Sequence, residues 1–262
     1  MTTGEVRPAA VAGTFYPGDR ARLERDVDAM ISSAQVASEA PPKALVVPHA
    51  GYVYSGPVAA SAYACVAGAP VERVVLVGPA HRVALRGVAA PSAKKLRTPL
   101  GDVEVDVEAL DRAGVPRNDL AHAMEHSLEV QLPFLQRLFP RARVCPIVCG
   151  RATEAEVADV LRALWGGRET LVVVSSDLSH YLPYDAGRAA DERTAAKIVA
   201  LDGDLDGDGA CGYVGVRGLL AVAREKHLAA RLLDLRSSGD TAGPRAEVVG
   251  YGAFRFDEGE AS

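Results

Sequence analysis

The chain has 262 residues, 48% of them hydrophobic and 24% charged. This is the composition of an ordinary globular protein, so global disorder is excluded and there is room for one large α/β domain. A net charge of −5 with no basic stripe argues against a nucleic-acid partner. No apolar run approaches the ~20 residues of a membrane helix, and the opening MTTGEVRPAA lacks the basic-then-apolar build of a secretory signal. The four scattered cysteines, Cys65, Cys145, Cys149 and Cys211, are too few for a disulfide framework. A cytoplasmic protein is expected.

In chain order, ARLERDVDAMI (21–31) reads as a helix after a Gly-Asp start signal. ALVVP (44–48) and RVVLVG (73–78) read as strands, RGVAA (86–90) as a shorter one, and VEALDRAG (107–114) as a helix ended by glycine. AMEHSLEVQLPFLQRLF (123–139) carries a helical apolar stripe through Leu128, Leu132, Leu135 and Leu138, with Pro133 marking either a kink or a later start. The strands RVCPIVC (143–149) and TLVVVSS (170–176) enclose TEAEVADVLRALWGG (153–167), which opens on a Thr N-cap and a matching Glu. RAADERTAAKIVAL (188–201) and VRGLLAVAREKHLAA (216–230) are helical, and ARLLDL (230–235) and EVVGYGAFRF (247–256) extended. Most strands are continuous Val/Leu runs, as expected of strands covered on both faces. With no low-complexity linker and no internal repeat, the alternation predicts a single α/β domain over 1–262, with helices on both faces of a sheet.

Three strands end alike. ALVVP runs into His49 within VVPHAGYVYSG, RVVLVG into PAH with His81, and TLVVV into SSDLSH with Asp177 and His180. In open α/β sheets, polar groups beyond the carboxyl ends of strands line the ligand crevice. Histidines, an aspartate and a cysteine make a metal site the first reading, because neutral imidazole suits iron, zinc and copper. Asp177 and His180, three apart, would share a face on one helical turn, as ligands or proton-handling groups. A hydrolase triad on Ser175 or Ser176 is the rival, although neither serine sits in a G-x-S-x-G elbow. Cys211, in GACGYVG just before a helix, is expected to have a lowered pKa if it is a ligand; the plainer reading is a small buried residue. Cys65, Cys145 and Cys149 read as core packing.

Glu125, His126 and Glu129 cluster at the start of 123–139, either capping a helix or facing the site. Tyr52 and Tyr54, beside His49, are placed to line a pocket. His122 and His227 follow no apolar strand and are expected at the surface. DLDGDG (204–209) imitates an EF-hand opening, but Gly215 stands where the bidentate glutamate is needed.

RPAAVAGTFYPGD, VVPHAGYVYSG, GPAHR, EHSLEVQLPFLQ, SSDLSHY, CGYVG and the closing VVGYGAFRF together resemble the Memo family, over nearly the whole chain and in the same order. The resemblance implies a fold similar to class III extradiol dioxygenases: an α/β three-layer sandwich, with a central mixed β-sheet flanked by helices on both faces. It carries metal ligands onto His49, His81 and Cys211, and proton-handling groups onto Asp177 and His180. The extradiol enzymes use two histidines and a carboxylate; a thiolate in the third place favours copper or zinc as much as iron. The implied cofactor is iron(II) or copper, with zinc as the redox-inert option, and the implied chemistry is redox or oxygen-dependent. Tyr52, Tyr54, His126 and Glu129 are expected to contact the substrate, a small molecule or peptide. The other readings are a non-enzymatic ligand-binding module and a metal-dependent hydrolase. Prokaryotic members are labelled AmmeMemoRadiSam system protein B, which implies a radical SAM protein and an AMMECR1-like protein as partners.

Overall fold

The structure, a computed structural model, describes residues 5–35 and 39–259. Its strands are β1 Val6–Arg7, β2 Ala44–Val47, β3 Arg73–Pro79, β4 Val88–Ala89, β5 Lys95–Thr98, β6 Gly101–Glu104, β7 Arg143–Cys149, β8 Thr170–Ser175, β9 His180–Leu182, β10 Ala229–Ser237 and β11 Val248–Asp257. The α-helices are α1 Arg20–Ser33, α2 Tyr52–Tyr63, α3 Val107–Arg112, α4 Asp119–Ala123, α5 Leu132–Leu138, α6 Glu154–Leu164, α7 Tyr184–Val199, α8 Tyr213–Glu225 and α9 Ser238–Thr241. None of these is long and apolar enough to cross a membrane.

An eight-stranded sheet runs in the order β10-β11-β2-β8-β3-β7-β4, with β9 added on β11, while β1, β5 and β6 form a small sheet of their own. The middle strands β2, β8, β3 and β7 are parallel, and β11, β10 and β4 join antiparallel, so the sheet is mixed. Every residue of β2 and β8 is buried, as the continuous Val/Leu runs require of strands covered on both faces. Successive residues of β3 meet the two covers: Val77 packs against Gly215 of α8, and Gly78 against Ser127 and Leu128 in the loop leading to α5. On the first side α6 packs with α8; on the other α5 packs with α1, and α1 with α2. The result is a three-layer α/β sandwich around a contiguous apolar core.

Helix α2 is absent from the sequence reading. Its residues Tyr52, Ser55, Gly56, Val58, Ala59, Ala60, Ala62 and Tyr63 are buried, and its exposed residues are Val53 and Tyr54, so no charged face creates a helical period. The stripe over 123–139 is not one helix either. α4 ends at Ala123, a 3₁₀ turn covers Glu129–Gln131, and α5 starts only at Leu132 with Pro133 in its first turn, where a missing N–H costs nothing. The helices expected at 188–201 and 216–230 start earlier, at Tyr184 and Tyr213, and the second gives way to β10 at Ala229.

The stretch between α4 and α5 is held by the amino-terminal segment. Buried Arg7 pairs with the Glu129 carboxylate and donates to the carbonyls of His122 (3.0 Å) and Glu125 (2.6 Å). Glu129 also accepts from the backbone N–H of Ala10 (2.8 Å) and Val11 (2.9 Å) and from the Tyr16 hydroxyl (2.6 Å). Removing one partner of a buried ion pair strands the other. Arg7→Met, which keeps an apolar stem, should therefore destabilise the fold by about 3 kcal/mol, read as a lower urea midpoint at unchanged slope. A loss below about 1 kcal/mol would mean that the remaining donors suffice for Glu129.

Candidate metal centre

β2, β8 and β3 are parallel neighbours, with Val47 opposite Ser175 and Val74 to Val77 opposite Leu171 to Val174. Their carboxyl ends therefore open at one level, and the residues that follow them meet. His49 and His81 have ring centroids 5.2 Å apart. His126, from the loop between α4 and α5, closes the group at 5.5 Å from His49 and 4.8 Å from His81. One ligating nitrogen from each of the three lies within 4.8 Å of the others.

Two neighbours hold these rings. Glu125 accepts from the backbone N–H of His81, His126 and Ser127, and from His81 Nδ1 at 3.0 Å. Burial alone would raise this carboxyl, but the His81 hydrogen bond and charge and the backbone donors overcome it and bring it down to about 2. An ionised carboxylate can only accept, so His81 carries its proton on Nδ1 and leaves Nε2 free, the usual arrangement of a metal-binding histidine. His49 Nδ1 lies 2.9 Å from Ser175 Oγ. Sequence reading grouped Glu125 with its neighbours without assigning it a role; a histidine 44 residues earlier was its unseen partner.

The donor set fits a transition-metal ion. Burial, with His81 and His126 close by, holds His49 well below the usual histidine range. Burial likewise brings His126 to about 4, against the pull of Glu125. Both rings are neutral at pH 7, the form that offers a lone pair. Nδ1 of His126 is buried, 3.4 Å from Glu125 Oε1 but with no hydrogen bond of good geometry, an under-satisfied group of the kind a bound ion accounts for.

Cys211 reaches the same corner. Its Sγ lies 3.3 Å from His49 Nε2 and accepts from the Asp177 N–H at 3.3 Å. Its pKa is the reverse of the expected one: burial and the Asp177 carboxyl push the thiol up to about 12. α8 begins only at Tyr213, and burial, with the Asp177 charge added to it, outweighs any benefit of the helix start. Asp177 itself, buried with Oδ1 accepting from the His49 N–H at 2.7 Å, is raised by burial to about 7.

Asp177 and His180 do not share a helical turn. Residues 176–179 are irregular and His180 opens β9. The loop is fixed instead by Leu178 N–H to Gly250 O and Gly250 N–H to Ser179 O, both 2.8 Å, and by Ser179 N–H to the buried Asp191 carboxylate at 2.9 Å. His180 is half-buried, which lowers its pKa, and its charge is felt at His49. Tyr54 is partly exposed, whereas Tyr52 is buried and donates its hydroxyl to Val130 O at 2.7 Å. Glu129, expected against substrate, is spent on Arg7, Tyr16 and two backbone amides. His122, expected at the surface, is buried and bonded to Ala89 O at 3.0 Å; His227 is exposed. Ser175 and Ser176 are fully buried and donate to the carbonyls of Ser127 and Asp177, so neither presents a nucleophile. Cys65, Cys145 and Cys149 are buried in the core.

Comparison with known proteins finds relatives along nearly the whole chain. A family model described as Memo-like protein matches residues 7–255. A MEMO1 family protein of Ignicoccus hospitalis is 39% identical over 281 residues, covering 96% of this chain and 98% of the relative. MEMO1 family proteins of Methanopyrus kandleri and Aquifex aeolicus are 37% and 35% identical, each covering at least 94% of this chain and 97% of the relative.

Gly212 sets the distance between Cys211 and the strand ends. A Cβ there would lie 2.6 Å from the Ser175 carbonyl oxygen and 2.7 Å from Ser176 Cβ, and β8 is clamped between two strands. Gly212→Ala should push the start of α8 outward, at a cost of about 1–3 kcal/mol for overpacking. Cys211, slow to alkylate near neutral pH in the parent, should react faster in the variant. Unchanged stability and unchanged labelling would show that α8 has room to spare.

Proposed function

The chain belongs to the Memo-like protein family, and from that premise we propose that it is a metalloprotein holding iron(II) or copper between His49, His81 and His126, with Cys211 as the fourth donor. The observation that carries the reading is the approach of three imidazoles, two of them neutral and one with an under-satisfied nitrogen, to one point beside a thiol. Such an ion supplies redox or oxygen-dependent chemistry, whereas zinc in the same place supplies Lewis acidity alone.

The other groups divide the work around that point. Glu125 orients His81 by holding its Nδ1 proton. Asp177, raised to about 7 by burial, takes up and releases a proton near neutral pH, where a general acid or base is most effective. His180, kept neutral and half-open to solvent, can accept a proton arriving from the crevice mouth. Tyr54, exposed two residues beyond Tyr52, is the side chain we assign to contact the incoming small molecule or peptide.

The reading fixes the proton count of metal uptake. At pH 8 the buried histidines are neutral and need not lose a proton, and Asp177 is mostly ionised, but the Cys211 thiol is still protonated. Binding of Co(II) as a probe should release about one proton per ion, measured by calorimetry in buffers of different ionisation enthalpy. Cys211→Ser should bring that number close to zero and weaken binding, and His49→Ala should abolish binding. Release of no proton by the parent, with Cys211→Ser binding equally well, would remove the sulfur from the set. Full binding by His49→Ala would remove the site.

A further inference from the structure

Behind His49 lies a chain of hydrogen bonds that no metal is needed to explain. Ser175 Oγ, fully buried, has three neighbours: it donates to the Ser127 carbonyl at 2.7 Å, receives from Gln131 Nε2 at 2.9 Å, and faces His49 Nδ1 at 2.9 Å. Gln131 is fixed in turn, because its Nε2 also donates to the Pro48 carbonyl at 2.9 Å while its Oε1 accepts from the Tyr63 hydroxyl at 3.0 Å. The opposite amide orientation would set two oxygens against each other at Pro48.

A serine hydroxyl owns one proton and two lone pairs. The proton is committed to the Ser127 carbonyl, which is buried and has no other donor among the described residues. One lone pair is committed to the Gln131 amide, which can only donate. The second lone pair remains, and the group facing it must be a donor. Assigning the hydroxyl proton to His49 instead would leave a buried carbonyl unpaired, which is disfavoured.

We infer that Ser175, held by Gln131 and Ser127, is a positioning residue that fixes His49 in the tautomer protonated on Nδ1. The lone pair of Nε2 is thereby aimed at Cys211 Sγ, 3.3 Å away, placed to accept a hydrogen bond from the thiol or to bind a cation. Gln131 and Tyr63 act one step further back. The inference concerns the protein without metal and stands or falls separately from the proposed ion.

The test is the tautomer itself, read in metal-free, histidine-¹⁵N-labelled protein by long-range ¹H–¹⁵N correlation at pH 8. His49 should show a protonated Nδ1 and an unprotonated Nε2. Ser175→Ala removes the acceptor and should shift the ring toward the Nε2-protonated form. Gln131→Met leaves the Ser127–Ser175–His49 contacts in place and should keep the parent tautomer. Co(II) affinity should fall about ten- to a hundredfold in Ser175→Ala, the usual effect of losing a histidine's outer partner. A general packing defect would lower stability without changing which nitrogen carries the proton. An Nε2-protonated His49 in the parent overturns the inference without recourse to any variant, as does a Ser175→Ala spectrum with the parent tautomer. If the tautomer behaves as stated while neither protein binds Co(II), the positioning role stands and the metal reading falls.

Discussion

Parallel pairing of β2, β8 and β3 is the constraint on which the rest of the site depends. Parallel neighbours in register end together, and their next residues lose their ladder partners at the same level. Something must satisfy those freed backbone groups. At the end of β2 it is the Asp177 carboxyl, which takes the His49 N–H; beyond β3 it is Glu125, which takes the N–H of His81. The groups that close the strand ends are thus the ones that orient the chemistry, and the site is a by-product of finishing the sheet.

Burial then sorts the protonation states. Where the centre is shielded from water, at His49, His126 and Cys211, burial favours whatever form is neutral, while His81 stands at its open side. His49, His126 and Cys211 are pushed that way, and Asp177 half-way. Glu125 alone keeps its charge, because donors surround it. A cation entering such a place meets lone pairs already free on the imidazoles and displaces a proton only from the sulfur. Neutral ligands with one anionic anchor behind them are a better preparation for a soft or borderline ion than for calcium or magnesium, which need oxygen donors.

Much of this was legible in the chain and some was not, for physical reasons. The strand ends could be read because Val/Leu runs stop abruptly at histidine or aspartate. A sheet with helices on both faces followed from their alternation with helices; that the sheet is mixed was implied by the family resemblance. α2 was hidden because most of it is buried and its exposed residues, Val53 and Tyr54, are not charged, so no polar period marks it. The break in 123–139 was hidden because Glu125 captures the amides of the two residues after it, a local bond that defeats the helical stripe. Glu129 looked like site lining because its true partner, Arg7, stands 122 residues earlier. His126 was read as substrate contact because its ring direction is a property of that broken turn. The Cys211 error lay in the surroundings: proximity to a helix start was visible, and neither the burial of the sulfur nor the Asp177 carboxyl near it was.

The central claim is that these side chains converge on one metal ion with nitrogen and sulfur donors. X-ray absorption spectroscopy of the protein loaded anaerobically with one equivalent of iron(II), and separately of Cu(I), addresses it most directly. The account predicts a first coordination sphere with imidazole scattering from at least two histidines and a sulfur contribution that vanishes in Cys211→Ser. An all-oxygen sphere, or metal that washes away without ever acquiring imidazole scattering, would contradict it.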